Sequence, residues 1–163
     1  MAGKALPAVA VCTFASLAFA AQSANRGGVS PEARAQVRQA IASIGLISVR
    51  NTNDANPAPQ PRGSSVVVRN DGVLVTNYHV ISNPRTGRSY DEIFLNLSSD
   101  GDTDLSPTRY RVKPVLISKE YDLALLRVVS DATGNPLPDP FTIPSIALGD
   151  SRKIKVLEDL FII

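Results

Sequence analysis

A chain of 163 residues has room for one domain and not for two. Apolar residues make up 44% of it and charged residues 20%, which excludes a disordered tail or a fibre and allows a buried core. Seventeen Lys and Arg against fifteen Asp and Glu leave a net charge of +2, scattered singly rather than in stripes, so no nucleic-acid partner is expected.

Residues 1–20 read as an address rather than as architecture. Lys4 precedes the apolar, small-residue stretch 5–20, and Ala18-Phe19-Ala20 has the A-x-A form accepted by a signal peptidase, which predicts a signal peptide cleaved before Ala21. A spanning helix would need about 20 strongly apolar residues. Pro7, Thr13 and Ser16 dilute this one, so no stable membrane span is expected after cleavage, and the mature chain is predicted to be secreted or periplasmic. The lone cysteine, Cys12, cannot form an intrachain disulfide, and it lies inside that segment, so the mature chain is expected to carry no thiol. One Cys beside one His cannot build a four-ligand zinc site, and no metal or cofactor is expected.

Residues 22–28 are small and polar, a linker. Ser30-Pro31-Glu32 then reads as a helix start. Ser30 is the N-cap, Pro31 occupies the first helical position where its missing N–H is harmless, and Glu32 is favoured by the helix dipole. Ala33, Val37, Ala40, Ile41 and Ile44 recur at intervals of three and four, so the helix is predicted to run to about Ile44 and to end at Gly45, with one apolar stripe for a sheet.

From Leu46 the apolar period shortens to two or to short unbroken runs. Strands are predicted over 46–50, 65–69, 73–77, 92–97, 109–117 and 123–129. A Pro-rich surface loop fills 51–63, Asn70-Asp71-Gly72 marks a tight hairpin, and a polar turn spans 98–106. Six short antiparallel strands favour an all-β sandwich or small closed barrel, because closure removes exposed edges. A Pro-rich connection, 135–144, leads to a last apolar segment, 154–163. A buried strand seldom stops on its final apolar residue, so the sequence is expected to be a piece of a longer one.

Two residues carry the chemistry. His79 is the chain's single histidine and follows directly on the hairpin strand in Thr76-Asn77-Tyr78-His79-Val80, where a strand gives way to a turn. Asp122, in Tyr121-Asp122-Leu123-Ala124-Leu125-Leu126, puts a carboxylate at the mouth of an apolar strand, where charged residues rarely sit unpaired. Such an Asp could accept the Nδ1–H of the imidazole and fix its tautomer, the general-base arrangement of a nucleophilic hydrolase. Periodicity alone leaves open the plainer reading, in which His79 caps a turn and Asp122 a strand with no relation between them.

Four stretches bear on that choice. Gly63-Ser64-Ser65-Val66-Val67-Val68, then Asn70-Asp71-Gly72-Val73-Leu74-Val75-Thr76-Asn77-Tyr78-His79-Val80, then Asp122-Leu123-Ala124-Leu125-Leu126, and finally Ala147-Leu148-Gly149-Asp150-Ser151 resemble, in order, the signatures of trypsin-like serine proteases, nearest the bacterial HtrA-like branch. The resemblance covers roughly residues 46–163. It implies a fold of two six-stranded antiparallel barrels with the active site between them. Residues 46–150 would form the first barrel, 151–163 would begin the second, and 21–45 would be linker and N-terminal helix. It assigns His79 as general base and Asp122 as its orienting partner, and it implies a polypeptide substrate once the chain is completed. Oligomeric state is not legible.

The nucleophile of the family lies in a Gly-x-Ser-Gly-Gly turn, and the 163 residues hold no such turn. Gly149-Asp150-Ser151 is followed by Arg152 and Lys153, whereas an oxyanion site needs small residues so that backbone N–H groups can converge. That segment is read as the join between barrels, and Ser64 and Ser65 as loop serines. A base and its orienter without a nucleophile cannot perform acyl transfer, so the chain as given is expected to be inactive. The alternatives are a secreted non-catalytic barrel that binds peptides or a partner, and a degenerate remnant. Asn96-Leu97-Ser98 has the glycosylation pattern but falls in a predicted strand. Asp100, Asp102 and Asp104 lack the glycine and glutamate of a calcium loop and read as a solvated hairpin. Tyr78, Tyr90, Tyr110 and Tyr121 are expected to pack.

Overall fold

The structure is a computed structural model and describes residues 30–53, 55–56, 58–98 and 105–156. The expected signal segment, Cys12, the linker 22–28, the three alternating aspartates and residues 157–163 lie outside these.

The first element, α1 (Pro31–Ala42), starts as its sequence dictates. Ser30 is extended, at φ −60° and ψ 154°, and its Oγ accepts the Ala33 N–H at 3.1 Å. The helix ends earlier than its apolar stripe. The Ser43 N–H donates to the Ala40 carbonyl at 3.0 Å and its hydroxyl to the Gln39 carbonyl at 3.1 Å, closing the last turn. Ile44 therefore belongs to β1 (Ile44–Arg50), and Gly45 is a strand residue paired with Ser65 and Leu97 rather than a helix terminator. A Cβ at Gly45 would meet the Leu95 side chain and come within 2.9 Å of the Asn96 carbonyl, so a glycine lets β1 and its neighbour approach. No residue of α1 is buried, and the helix rests lightly on the barrel at β1 and β4.

The remaining strands are β2 (Gln60–Arg69), β3 (Val73–Asn77), β4 (Glu92–Ser98), β5 (Leu105–Ser118) and β6 (Leu123–Asp131). All neighbours are antiparallel, and the order β1-β2-β3-β6-β5-β4 closes through the β4–β1 pair into the expected six-stranded barrel. Closure leaves no free edge. In β6 the alternation is clean, with Ala124, Leu126 and Val128 inward and buried while Leu123, Arg127 and Val129 face out. Ile47, Val49, Val67, Leu74, Ile93, Leu95, Leu97 and Val112 complete the interior.

Several boundaries differ from the sequence pattern, each for a local reason. The predicted loop 51–63 gives up its last four residues to β2, where Gln60, Pro61 and Gly63 pair with Val49, Ser48 and Ile47 across a bulge. Ser64 and Ser65 are strand residues, not loop serines, and the buried Ser65 hydroxyl donates to the Gly45 carbonyl at 3.2 Å. The hairpin falls where Asn70-Asp71-Gly72 predicts it. Gly72 takes φ +89° and its N–H donates to the Arg69 carbonyl at 3.1 Å. The connection after β6 is not a free loop. Ile143 enters the core and donates its N–H to the Asn70 carbonyl at 3.0 Å, Ile146 donates to the Val67 carbonyl at 2.9 Å, and the Phe141 ring meets Tyr110 edge-on at 5.5 Å. Residues 141–146 thus strap the β2–β3 end of the barrel.

Candidate active site

His79 lies in α2 (Tyr78–Ile81), a single turn that follows β3 without a connecting loop. Val80 and Ile81 plug into the barrel core at 5% and 0% exposure, which anchors the turn and leaves the His79 side chain outside, 70% exposed. Asp122 ends the turn between β5 and β6. Its φ is +51°, the left-handed region that Asp tolerates better than most residues, and its N–H donates to the Lys119 carbonyl at 3.3 Å. The topology brings the two together. β3 and β6 are barrel neighbours, their last pair is Asn77 with Leu123, and the residues just beyond that pair are α2 on one side and Asp122 on the other.

The contacts are several and reciprocal. Asp122 Oδ2 lies 2.6 Å from His79 Nδ1, and Asp122 Oδ1 accepts the His79 backbone N–H at 2.9 Å. The Asp122 carbonyl accepts the Tyr78 N–H at 3.0 Å and the Asn77 side-chain amide at 3.1 Å. Asn77, the N-cap residue of α2, offers no side-chain cap, so the carboxylate of a distant residue supplies the acceptor that the turn lacks. The His79 backbone N–H, then the imidazole N–H, hold the Asp122 carboxyl below the ordinary carboxylate range, against a smaller opposing effect of desolvation. The aspartate therefore stays ionised opposite Nδ1. A ring that donates Nδ1–H to this oxygen carries its free lone pair on Nε2 and can take a proton there from an alcohol brought within reach.

Neighbouring side chains brace the same corner. The Tyr78 hydroxyl donates to the Gly87 carbonyl at 2.7 Å, tying down residues 83–89, and Lys119 Nζ sits 5.5 Å from the Tyr78 ring centre. Tyr78, Tyr90 and Tyr110 pack against the core, whereas Tyr121, expected to pack, is 70% exposed beside Asp122. Ser151 opens a 3-10 turn, Ser151–Lys153, which Asp150 caps by accepting the Arg152 N–H at 3.1 Å. Asn96 is buried in β4 with its Oδ1 accepting from Arg109 at 2.9 Å, so its acceptor pattern is not presented to solvent. A surface groove of about 340 Å³ lined by Asp91, Glu92, Arg111, Lys113 and Ser130 shares no residue with the His79–Asp122 corner. Among the described residues no cluster of three or more His, Cys, Asp or Glu could hold a metal ion, and no helix is long and apolar enough to cross a membrane.

Reading the sequence for titratable residues singles out His79 and Asp122 and passes over Asn77 and Tyr78, which hold one to the other. The position of Asn77, an amide ending a strand two residues before the histidine, was the only available signal.

A closed six-stranded barrel that presents an imidazole and a carboxylate in contact at the ends of adjacent strands has the architecture of a trypsin-type hydrolase barrel. Residues 63–163 match the trypsin-like peptidase domain, and the chain belongs to that family. It is 34% identical over 112 residues to the magnetosome formation protease MamE of Paramagnetospirillum magneticum, a match covering 67% of this chain and 13% of that protein. The MamE of Magnetospirillum gryphiswaldense is 27% identical over 114 residues, covering 70% and 12%. A probable periplasmic serine endoprotease, DegP-like, from Rickettsia conorii is 33% identical over 103 residues, covering 63% and 16%. The chain thus spans less than a fifth of the length of these relatives.

Proposed function

We propose that residues 46–150 are the first barrel of a serine-type endopeptidase, that His79 is its general base and Asp122 the residue that orients the base, and that residues 151–163 lead into a second barrel. The observation that carries this reading is the 2.6 Å contact between His79 Nδ1 and Asp122 Oδ2, made by a histidine whose side chain is otherwise largely exposed. In the reaction, Nε2 takes the proton of a serine hydroxyl as its oxygen attacks the scissile carbonyl, and later returns it to the leaving amine. Asp122 remains a carboxylate throughout. The serine is expected in a Gly-x-Ser-Gly-Gly turn, which the 163 residues do not hold. The 163-residue polypeptide alone is therefore proposed to be inactive, and the substrate of a completed form to be polypeptide. Export by the segment 1–20 to a periplasmic or extracellular site accords with the DegP-like relatives, which are named as periplasmic.

Two measurements test this. The 163-residue polypeptide is expected to resist a serine-directed fluorophosphonate probe, and stoichiometric labelling would place a nucleophile within it. A longer form read in the same frame and bearing the nucleophile turn is expected to cleave a fluorogenic peptide and to lose that activity with His79→Ala. Undiminished turnover in the variant would remove His79 from the mechanism.

A further inference from the structure

We infer that Asn77 is a positioning residue: its side-chain amide locks the left-handed backbone of Asp122 and aims the carboxylate at His79. The inference rests on the assignment of His79 and Asp122 above and extends it to a third residue of the same corner.

Three observations lead there. First, Asp122 holds φ +51° without being glycine, a conformation that carries a cost even for Asp and that local contacts must offset. Second, that backbone is held more firmly at its carbonyl than at its N–H. The Asp122 N–H is held by Lys119 at 3.3 Å, near the limit of a hydrogen bond, whereas the carbonyl accepts both the Tyr78 N–H at 3.0 Å and the Asn77 amide at 3.1 Å. Third, the same Asn77 nitrogen stands 3.4 Å from Asp122 Oδ2, the oxygen facing the imidazole. One NH2 group thus spans the backbone and the carboxylate of Asp122. It can do so because it projects from the last residue of β3, whose register against β6 fixes Asn77 opposite Leu123.

A carboxylate in this place needs such a partner. Asp122 is 43% exposed, so water competes for Oδ2, and rotation about its Cα–Cβ bond would forfeit both the Nδ1 contact and the His79 backbone contact. The titratable side chains beside it are Tyr78 and His79 from α2 and Lys119, Glu120 and Tyr121 from its own turn; the Tyr78 hydroxyl is spent on Gly87 and the His79 ring on the carboxylate, which leaves the backbone carbonyl to other donors. Asn77 is one, from the neighbouring strand, and its amide also favours the ionised carboxyl. Alanine at this position would keep the strand but surrender both contacts. Aspartate would set an oxygen against an oxygen.

The test uses the 163-residue polypeptide and needs no turnover. In the wild type, the Asn77 side-chain amide resonances are expected to move with the titration of the Asp122 carboxyl, followed by 13C and 15N NMR. Amide resonances that ignore that titration overturn the proposal, whatever any variant does. In Asn77→Ala the Asp122 carboxyl midpoint is expected to rise, and the Tyr78 and His79 amide protons to exchange roughly three- to tenfold faster, the effect of losing one modest hydrogen bond. Asn77→Gln, which keeps the amide, should recover part of both. Tyr78→Phe, which frees residues 83–89 at Gly87, should leave the Asp122 midpoint where it is, so a general loosening of the corner cannot mimic the result. A folded Asn77→Ala protein with an unchanged Asp122 midpoint overturns the inference while leaving the His79–Asp122 pair intact. A pair that fails is recognised separately, by an Asp122→Asn substitution that leaves the His79 ring 15N signals unmoved.

Discussion

The carboxylate of Asp122 grips His79 with two different oxygens, Oδ2 on the imidazole at 2.6 Å and Oδ1 on the backbone N–H at 2.9 Å. Asp122 therefore fixes the ring and the turn that carries it. Asp122→Asn keeps an oxygen for one of these contacts and offers an N–H to the other, which would favour the opposite tautomer of the ring. In a form bearing the nucleophile, kcat is expected to fall about 10⁴-fold, as the trypsin-type arrangement does when its aspartate becomes asparagine. Asp122→Ala removes both acceptors. The His79 amide should then exchange faster than in Asp122→Asn, as read by hydrogen exchange.

The same contacts set a pH dependence. Because the Asp122 carboxyl is held below its ordinary value in the folded chain, its contribution to stability is present above the unfolded carboxyl pKa of about 3.9 and is lost as pH falls through the lower folded value. Urea unfolding midpoints of the wild type and Asp122→Asn should accordingly draw together on acidification. A gap that widens below pH 4 would contradict the sign.

Asp131 offers a steeper case away from the site. Its carboxylate accepts the Thr133 hydroxyl at 2.8 Å, the Asn135 N–H at 2.8 Å and the Asn135 amide at 2.9 Å, and the Thr133 hydroxyl leads in holding its pKa down to about 2. By the same sign rule the stabilisation of the turn after β6 is full above about pH 4 and is lost progressively as pH falls from there through about 2. Carboxyl 13C shifts should show Asp131 still ionised at pH 3, and Thr133→Val should raise its midpoint.

Gly45→Ala is expected to cost about 1–3 kcal/mol, the usual range for overpacking, because the added methyl meets Leu95 and the backbone of Asn96. Leu95→Val in the same chain should return only part of this, since the Asn96 carbonyl cannot retreat. Urea denaturation of the single and double variants measures both.

Ile143→Ala tests the strap. Ile143 is 7% exposed within the barrel core, and truncation there should cost about 2–5 kcal/mol. A loss below about 0.5 kcal/mol, the scale of a surface change, would mean that residues 141–146 lie on the barrel without holding it.

What the sequence discloses depends on how local the cause is. Ser30-Pro31-Glu32 and Asn70-Asp71-Gly72 are legible because capping and positive φ are properties of single residues. The alternation in β6 is legible because both faces of that strand are decided by burial. Ile44 misleads, since it continues the helical stripe by spacing while Ser43 has already closed the turn. Gln60, Pro61 and Gly63 read as loop because their pairing with β1 runs through a bulge and requires no apolar pattern. The strap 141–146 has no periodicity at all. Its place is set by two backbone hydrogen bonds and a few apolar contacts, none of which leaves a trace in spacing. At the site, the identities of His79 and Asp122 stand out by type and setting, whereas the left-handed turn of Asp122 and the reach of Asn77 exist only once β3 and β6 lie side by side.

The closed ring makes this corner self-sufficient. His79 and Asp122 are 43 residues apart, yet both hang from adjoining staves of one cask and need nothing from outside it to meet. The meeting of ring and carboxylate is thus a property of the cask itself, set by the order of its staves and by the two short turns that rise from their ends.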